Sequence, residues 1–240
     1  MHLMAPRLAL AALALLAAPS AAASPFLMPE GTRELAAGAA LVNSEDHLGS
    51  RTRSTYVQPY FKGQWSNGLF LQGLWLGMQL APMPGVQAGP LLTVARQAGA
   101  APGSDSRVMP VFGAFANVRL LHNLQFAAHG YRIAGSRGGA EMSLQLATYR
   151  SLAPHHAVVL AAGVRLADRH VLQRQLGAAP DASGGIKNSH VEGRWDWELS
   201  PTYTASAGVQ ARRLHGDAAL GALVTRRTGL GYSLMLVRSY

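Results

Sequence analysis

Cysteine does not occur in the 240 residues. Its absence removes disulfide frameworks, thiolate zinc and iron–sulfur sites, thiol nucleophiles and a lipidated N-terminal cysteine together. Charge is scarce, at 14% of residues against roughly a quarter in an ordinary soluble domain, while 49% are hydrophobic. A disordered or charged linker protein is therefore excluded. Glycine (26) and proline (13) follow no fixed period, so neither collagen nor a low-complexity segment fits. Lys and Arg outnumber Asp and Glu, 21 to 12, giving +9, but they are scattered singly. That pattern lacks the clustered footprint of nucleic-acid binding and leaves a weak preference for anionic surfaces.

Residues 1–23 read as a secretory signal peptide. Arg7 supplies a positive start, Leu8 to Ala18 form an unbroken apolar run, and Ala21-Ala22-Ala23 before Ser24 make a small-residue cleavage site. The run ends near Pro19, too short for the roughly 20 apolar residues of a retained membrane helix. After Ser24 every apolar stretch is interrupted within a few residues, so no transmembrane helix is expected. Apolar residues rarely recur at helical spacing, and glycines sit inside most patterned segments.

The period that does recur is two. From Thr202 to Arg213 the series Thr202, Thr204, Ser206, Gly208, Gln210, Arg212 alternates with Tyr203, Ala205, Ala207, Val209, Ala211, a strand with one wet and one greasy face. From Ser189 to Leu199, His190, Glu192, Arg194, Asp196 and Glu198 alternate with Val191, Gly193, Trp195, Trp197 and Leu199. Glu141–Arg150 and Ser54–Trp65 show the same alternation, and weaker copies lie at Arg33–Val42, Leu69–Leu80, Gln87–Gln97, Val108–Leu120, Leu124–Ala134, Ala157–Leu166 and Leu230–Tyr240. Turn signals such as Ser66-Asn67-Gly68, Pro82-Met83-Pro84-Gly85 and Ala153-Pro154-His155 separate them.

Strand length chooses between all-β classes. Sandwich strands average five or six residues, whereas a tilted strand crossing a bilayer needs about 9–11, and these segments have the membrane length. Short turns alternate with longer polar loops at Asp168–Asn188 and Gly216–Thr228, as in outer-membrane barrels. Residues 24–240 are thus expected to form a transmembrane antiparallel β-barrel of even strand number, 12 or alternatively 10. The segments count eleven, which a bacterial single-chain barrel does not allow. Leu69–Leu80 is the expected place of the discrepancy, because Gln72 lies on its otherwise greasy face.

Tyr240 ends the chain, with Tyr232, Leu234 and Leu236 at every second position before it and Arg238 interrupting the series. A closing strand that ends in an aromatic residue resembles the signal by which the barrel assembly machinery recognises its substrates. Its expected partner is the first strand, Arg33–Val42.

Several stretches, in order through nearly the whole chain after the signal segment, resemble the MipA/OmpV family of MltA-interacting and OmpV-like outer-membrane proteins. They are Gly49-Ser50, Val57-Gln58-Pro59-Tyr60 leading into Asn67-Gly68 and Phe70-Leu71, Gly89-Pro90-Leu91-Leu92, and Arg213-Leu214-His215-Gly216-Asp217-Ala218-Ala219 followed by Leu223-Val224. The chain departs from the family where a tyrosine-rich stretch ending in Gly-Val is replaced by Val171 to Ala178, where Gly221-Ala222 replaces Ser-Pro, and where His47 replaces a tyrosine. The resemblance implies a barrel in the outer membrane of a Gram-negative bacterium, in contact with outer-membrane lipid. For some relatives it implies a scaffold holding a murein hydrolase and a murein synthase together, or a role in adhesion or envelope stress.

His190, Glu192, Arg194, Asp196 and Glu198 share one strand face, where neighbours stand about 6.6–6.8 Å apart, too far to share a metal or a proton without partners from other strands. They read as a lumen-facing polar ladder paired with arginines such as Arg119, Arg165 or Arg212, with Trp195 and Trp197 toward lipid. His155-His156 reads as a solvated turn pair. No serine has a G-x-S-x-G setting, and Gly135-Ser136-Arg137-Gly138-Gly139 has no helix behind it to cradle a phosphate. No catalytic residue, metal or cofactor is therefore expected. The sequence points to a non-enzymatic scaffold, with a narrow selective channel as the first alternative and a lipid-modifying barrel enzyme as the second.

Overall fold

The computed structural model describes residues 32–97, 107–134 and 138–240; the expected signal segment and residues 135–137 of the glycine-rich stretch lie outside them. The strands are β1 (Arg33–Glu45), β2 (Arg53–Trp65), β3 (Leu69–Gln72), β4 (Trp75–Met78), β5 (Leu80–Met83), β6 (Val86–Gln97), β7 (Arg107–Leu121), β8 (Leu124–Ile133), β9 (Ala140–Ala153), β10 (His156–Ala167), β11 (Gly185–Ser200), β12 (Tyr203–Leu214) and β13 (Thr228–Ser239), with one helix, α1 (Arg169–Leu176). Neighbours in sequence pair antiparallel, β13 returns to β1, and β4 pairs with β6. β4 and β5 are two parts of one strand interrupted at Gln79, and both lie against β6. The result is a closed antiparallel barrel of twelve strands.

The twelfth strand comes from the segment Leu69–Leu80, which is a hairpin turned at Gly73 and Leu74, with Leu69 opposite Met78 and Gln72 opposite Trp75. Gly73 takes the positive φ of +60° that the turn requires. A two-residue turn also changes which parity faces inward. Phe70 and Gln72 share the inner face with Trp75 and Gly77, whereas Leu76 and Met78 are exposed outside. That switch explains why a single alternation over the segment broke at Gln72.

Elsewhere the outer face is apolar, with Leu41, Val57, Phe61, Leu160, Val209 and Leu234 all exposed. A band of such side chains matches a hydrocarbon surround. One end of the barrel carries the start of β1, the end of β13 and the short turns, such as Asn67-Gly68, where Asn67 Oδ1 accepts from Leu69 N at 3.0 Å. The other end carries the longer loops.

The loop at Asp168–Asn188 departs from the irregular segment expected there. Asp168 caps α1 by accepting from Val171 N at 2.9 Å, and Gly177, at φ +65°, closes it with bonds to Gln173 O and from Ala178 N to Leu172 O. Eight residues are too few to give a helical periodicity in sequence. Val171, Leu172 and Leu176 pack with Ala182, Leu214 and Ala218, and Leu48 and Val224 add to this cluster from the neighbouring loops. A small apolar core thus ties the β1–β2, β10–β11 and β12–β13 loops together over one side of the mouth.

Candidate functional site

Alternation along β11 puts His190, Glu192 and Arg194, all buried, on the inner wall, followed by half-buried Asp196 and then Glu198, which is exposed at the short-turn end. Trp195 and Trp197 stand on the outer face, each 42% exposed. They stack on one another at 6.0 Å between centroids, and His156 stacks on both at 5.6 and 5.7 Å. Three stacked aromatic side chains near a turn are the composition of an interfacial girdle. His155, at φ +66°, forms the turn and lies 3.4 Å from Glu198.

Within the ladder, Arg194 Nε pairs with Asp196 Oδ1 at 2.9 Å. Arginine's long stem spans the two-residue interval that shorter side chains on one strand cannot. Glu192 accepts from Gln210 Nε2 of β12 at 3.5 Å. Arg212 Nη2 reaches Glu45 Oε2 of β1 at 2.9 Å, and the same oxygen accepts from Gly49 N at 3.1 Å. Lys187 Nζ pairs with Glu141 Oε2 of β9 at 2.8 Å. Of the arginines the spacing suggested, Arg165 lies within electrostatic reach of Glu192, Arg212 stands opposite His190 but forms its ion pair with Glu45, and Arg119 sits exposed at the turn end of β7. Glu45, Glu141 and Lys187 were not legible as site residues, because each lies at a strand end and meets its partner only when strands far apart in sequence become neighbours.

His190 fits because β10 offers Gly163 opposite it; a Cβ there would stand 2.8 Å from the imidazole. His190 Nδ1 and Arg165 Nε are buried with no hydrogen-bond partner among the described residues. Among those residues no three metal-type ligands come together. The ladder is thus a set of ion pairs and single polar atoms spread along the wall.

The opposite part of the inner wall is aromatic. Phe70 meets Phe115 edge-on at 5.4 Å, and Trp75 lies 6.2 Å from Tyr131 and 6.3 Å from His129. None of these is legible as a site residue from the sequence, where β3 and β4 run together as one strand.

On β13, Tyr232, Leu234 and Leu236 face outward, and Tyr240 is 71% exposed. Arg238 lies over the Tyr240 ring at 4.9 Å and near Tyr203 at 5.8 Å. The strand runs opposite β1 from Ala36–Ser239 to Asn43–Tyr232, and Tyr240 N donates to Leu35 O at 2.9 Å.

The family model of the MltA-interacting protein MipA matches residues 36–240. No curated protein matches the sequence at a significant level. Similar solved structures include an outer-membrane channel from Pseudomonas putida, 13% identical over 90% of this chain and 98% of that one with a TM-score of 0.45. The outer-membrane-expressed OmpT of Vibrio cholerae is 7% identical over 89% and 100%, at 0.44. The translocator domain of the autotransporter NalP from Neisseria meningitidis is 10% identical over 89% and 90%, also at 0.44.

Proposed function

The chain belongs to the MltA-interacting protein MipA family, and from that premise we propose that this outer-membrane barrel acts as a non-enzymatic scaffold that holds a murein hydrolase, together with a murein synthase, at its periplasmic end. The carrying observation is the family match over residues 36–240. The interior is compatible with it, because Glu45, Glu141 and Asp196 are each paired with a cation within 2.9 Å and Glu192 is held by Gln210. In this reading residues 1–23 are removed after secretion, and the barrel assembly machinery and outer-membrane lipid are the other partners.

The short-turn end is the periplasmic one, since bacterial barrels keep short turns and both termini there. Leu120, Leu121 and Leu152 are exposed beside those turns, at 51%, 62% and 64%, and offer an apolar contact for a periplasmic protein. Crosslinking pull-down from detergent-solubilised envelopes, with single-channel conductance measured on the same sample, tests the proposal. A murein hydrolase is expected among the captured proteins, and Leu121→Asp with Leu152→Asp should lose it while the barrel stays folded. Conductance without capture would favour the narrow-channel reading instead.

A further inference from the structure

The outer face of β11, β12 and β13 carries a groove, and residues 138–240, which form this wall and its loops, are all described. The outward residues of β12 are mostly small. Ala211 is flanked by Val191 of β11 and Leu230 of β13, and Ala207 by Trp195 and Leu234. These four neighbours are large, exposed and apolar, so they stand as walls over an alanine floor. Between the two rows Val209 is flanked by Tyr232 and by Gly193, which leaves room on the β11 side at that level. At its long-loop end the groove widens into an open depression of about 440 Å³, lined by Val191, Ala211 and Leu230 and, above them, by Ser189, Arg213 and Arg226.

Tyr203 and Arg213 are the outward residues at the two ends of β12. The interval between them is about 34 Å along the strand and about 24 Å of depth at the usual tilt near 45°, the height of a barrel's apolar band. Arg213 therefore stands at the outer-leaflet boundary, and the groove from Ala211 to Ala207 runs from there to about the midplane. The β12–β13 loop brings Arg226 beside it: Leu214 N donates to Arg227 O at 2.8 Å, Arg226 N donates to Gly49 O at 2.9 Å, and Val224 packs on the loop core. Asp217, the acid of that loop, accepts instead from Ser183 N and Oγ at 2.8 and 3.1 Å. Two exposed guanidiniums thus line one depression at the head of an apolar groove. The guanidinium fork pairs with phosphate bidentately, and a phosphate monoester carries about −1.5 to −2 at neutral pH, which matches the charge of the pair.

We propose that this groove binds an acylated lipid of the outer leaflet that carries a phosphate-monoester headgroup. Its phosphate sits between Arg213 and Arg226, and one acyl chain lies over Ala211 and Ala207 between the β11 and β13 walls. The site rests on the outer-membrane setting of the barrel and not on the scaffold role, which uses the opposite end, so its failure would leave that role untouched.

The full-length protein, purified from outer membranes and stripped of lipid in detergent, is titrated with bisphosphorylated lipid A, and native mass spectrometry counts the lipids bound. One lipid is expected to bind ahead of all others. Arg213→Gln with Arg226→Gln should weaken that step by more than about tenfold, the scale of a lost charge-assisted hydrogen bond. Ala211→Leu with Ala207→Leu, which fills the groove and keeps the charge, should weaken it as well. Arg132→Gln with Arg169→Gln, which removes two exposed arginines elsewhere on the same rim, should leave it unchanged. Equal affinity of the parent protein for the dephosphorylated lipid would overturn the site, and that comparison needs no variant. Equal losses from the two arginine pairs would reduce the effect to the charge of the rim and overturn it too, as would binding that survives the two leucines. Displacement of the lipid by millimolar inorganic phosphate would assign the arginines to the free ion and overturn the lipid. Heat-modifiable migration of each variant on gels establishes that it is folded.

Discussion

Lys187 Nζ lies 2.8 Å from Glu141 Oε2 and 2.6 Å from Gln175 Oε1, with both charged side chains almost wholly buried. One lysine thus joins β11, β9 and the loop helix α1. Removing one partner of a buried pair leaves an uncompensated charge, which costs about 3–5 kcal/mol, whereas replacing both by apolar residues of similar size is often neutral. Glu141→Ala should therefore lower the unfolding free energy in detergent by about that amount, and Glu141→Leu with Lys187→Met should recover most of it. Urea titrations of the three proteins decide this, and equal losses in the single and double variants would show that packing, not charge, is at stake.

The depth of the bilayer is readable from two outward positions. Leu160, 55% exposed, lies in the middle of β10, whereas Trp197 stands by the turn, opposite His156. Arginine on the lipid face costs about 2–4 kcal/mol at the midplane and about 0–1 near the interface. Leu160→Arg should therefore destabilise the barrel in vesicles by the larger amount and Trp197→Arg by the smaller charge penalty, added to the loss of stacking. The reverse order would move the apolar band toward the turn end.

Most strand positions were legible because one face of each strand meets lipid and the other the lumen, so chemistry alternates along β9, β11 and β12 whatever the neighbours are. Leu69–Leu80 was not, since two four-residue strands joined by Gly73-Leu74 exchange parity and mimic one imperfect strand. The ladder could be read from β11 alone. The ion pairs beside it could not, because Glu45 lies 167 residues from Arg212 and Glu141 46 from Lys187, distances that only the order of strands around the barrel removes.

Gly38 marks the seam where the first and last strands meet, opposite Val237. A Cβ built there would come within 2.1 Å of Leu236 O and 2.8 Å of Val237 Cα, both backbone atoms that cannot rotate away. Gly130 on β8 has nothing within 4 Å of its would-be Cβ. Overpacking costs about 1–3 kcal/mol where side chains can yield, and more is expected where a seam must shift. Gly38→Val should sharply reduce folded barrel, and Gly130→Ala should leave it unchanged, by gel mobility at matched expression.

The terminal tyrosine extends that seam by one bond. Tyr240 N donates to Leu35 O at 2.9 Å, just beyond the Ala36–Ser239 pair, and its ring lies against Arg238 at 4.9 Å. An unpaired strand edge in hydrocarbon is unfavourable at every residue, so closure of β13 on β1 is the step that removes both edges. Arg238 stands where an aromatic or aliphatic residue would continue Tyr232, Leu234 and Leu236, and its guanidinium instead rests on the rings of Tyr203 and Tyr240. Deleting Tyr240 removes a seam bond and one of those rings together, whereas Tyr240→Asp keeps the bond and sets a carboxylate at the exposed end of the strand. Both variants should be secreted normally and yield less heat-modifiable barrel in outer-membrane fractions, with the deletion the more severe. Tyr240→Phe, which keeps ring and backbone, should assemble like the parent chain. Equal folded barrel from the parent and the deletion would show that the eight pairs from Ala36 to Asn43 close the seam unaided.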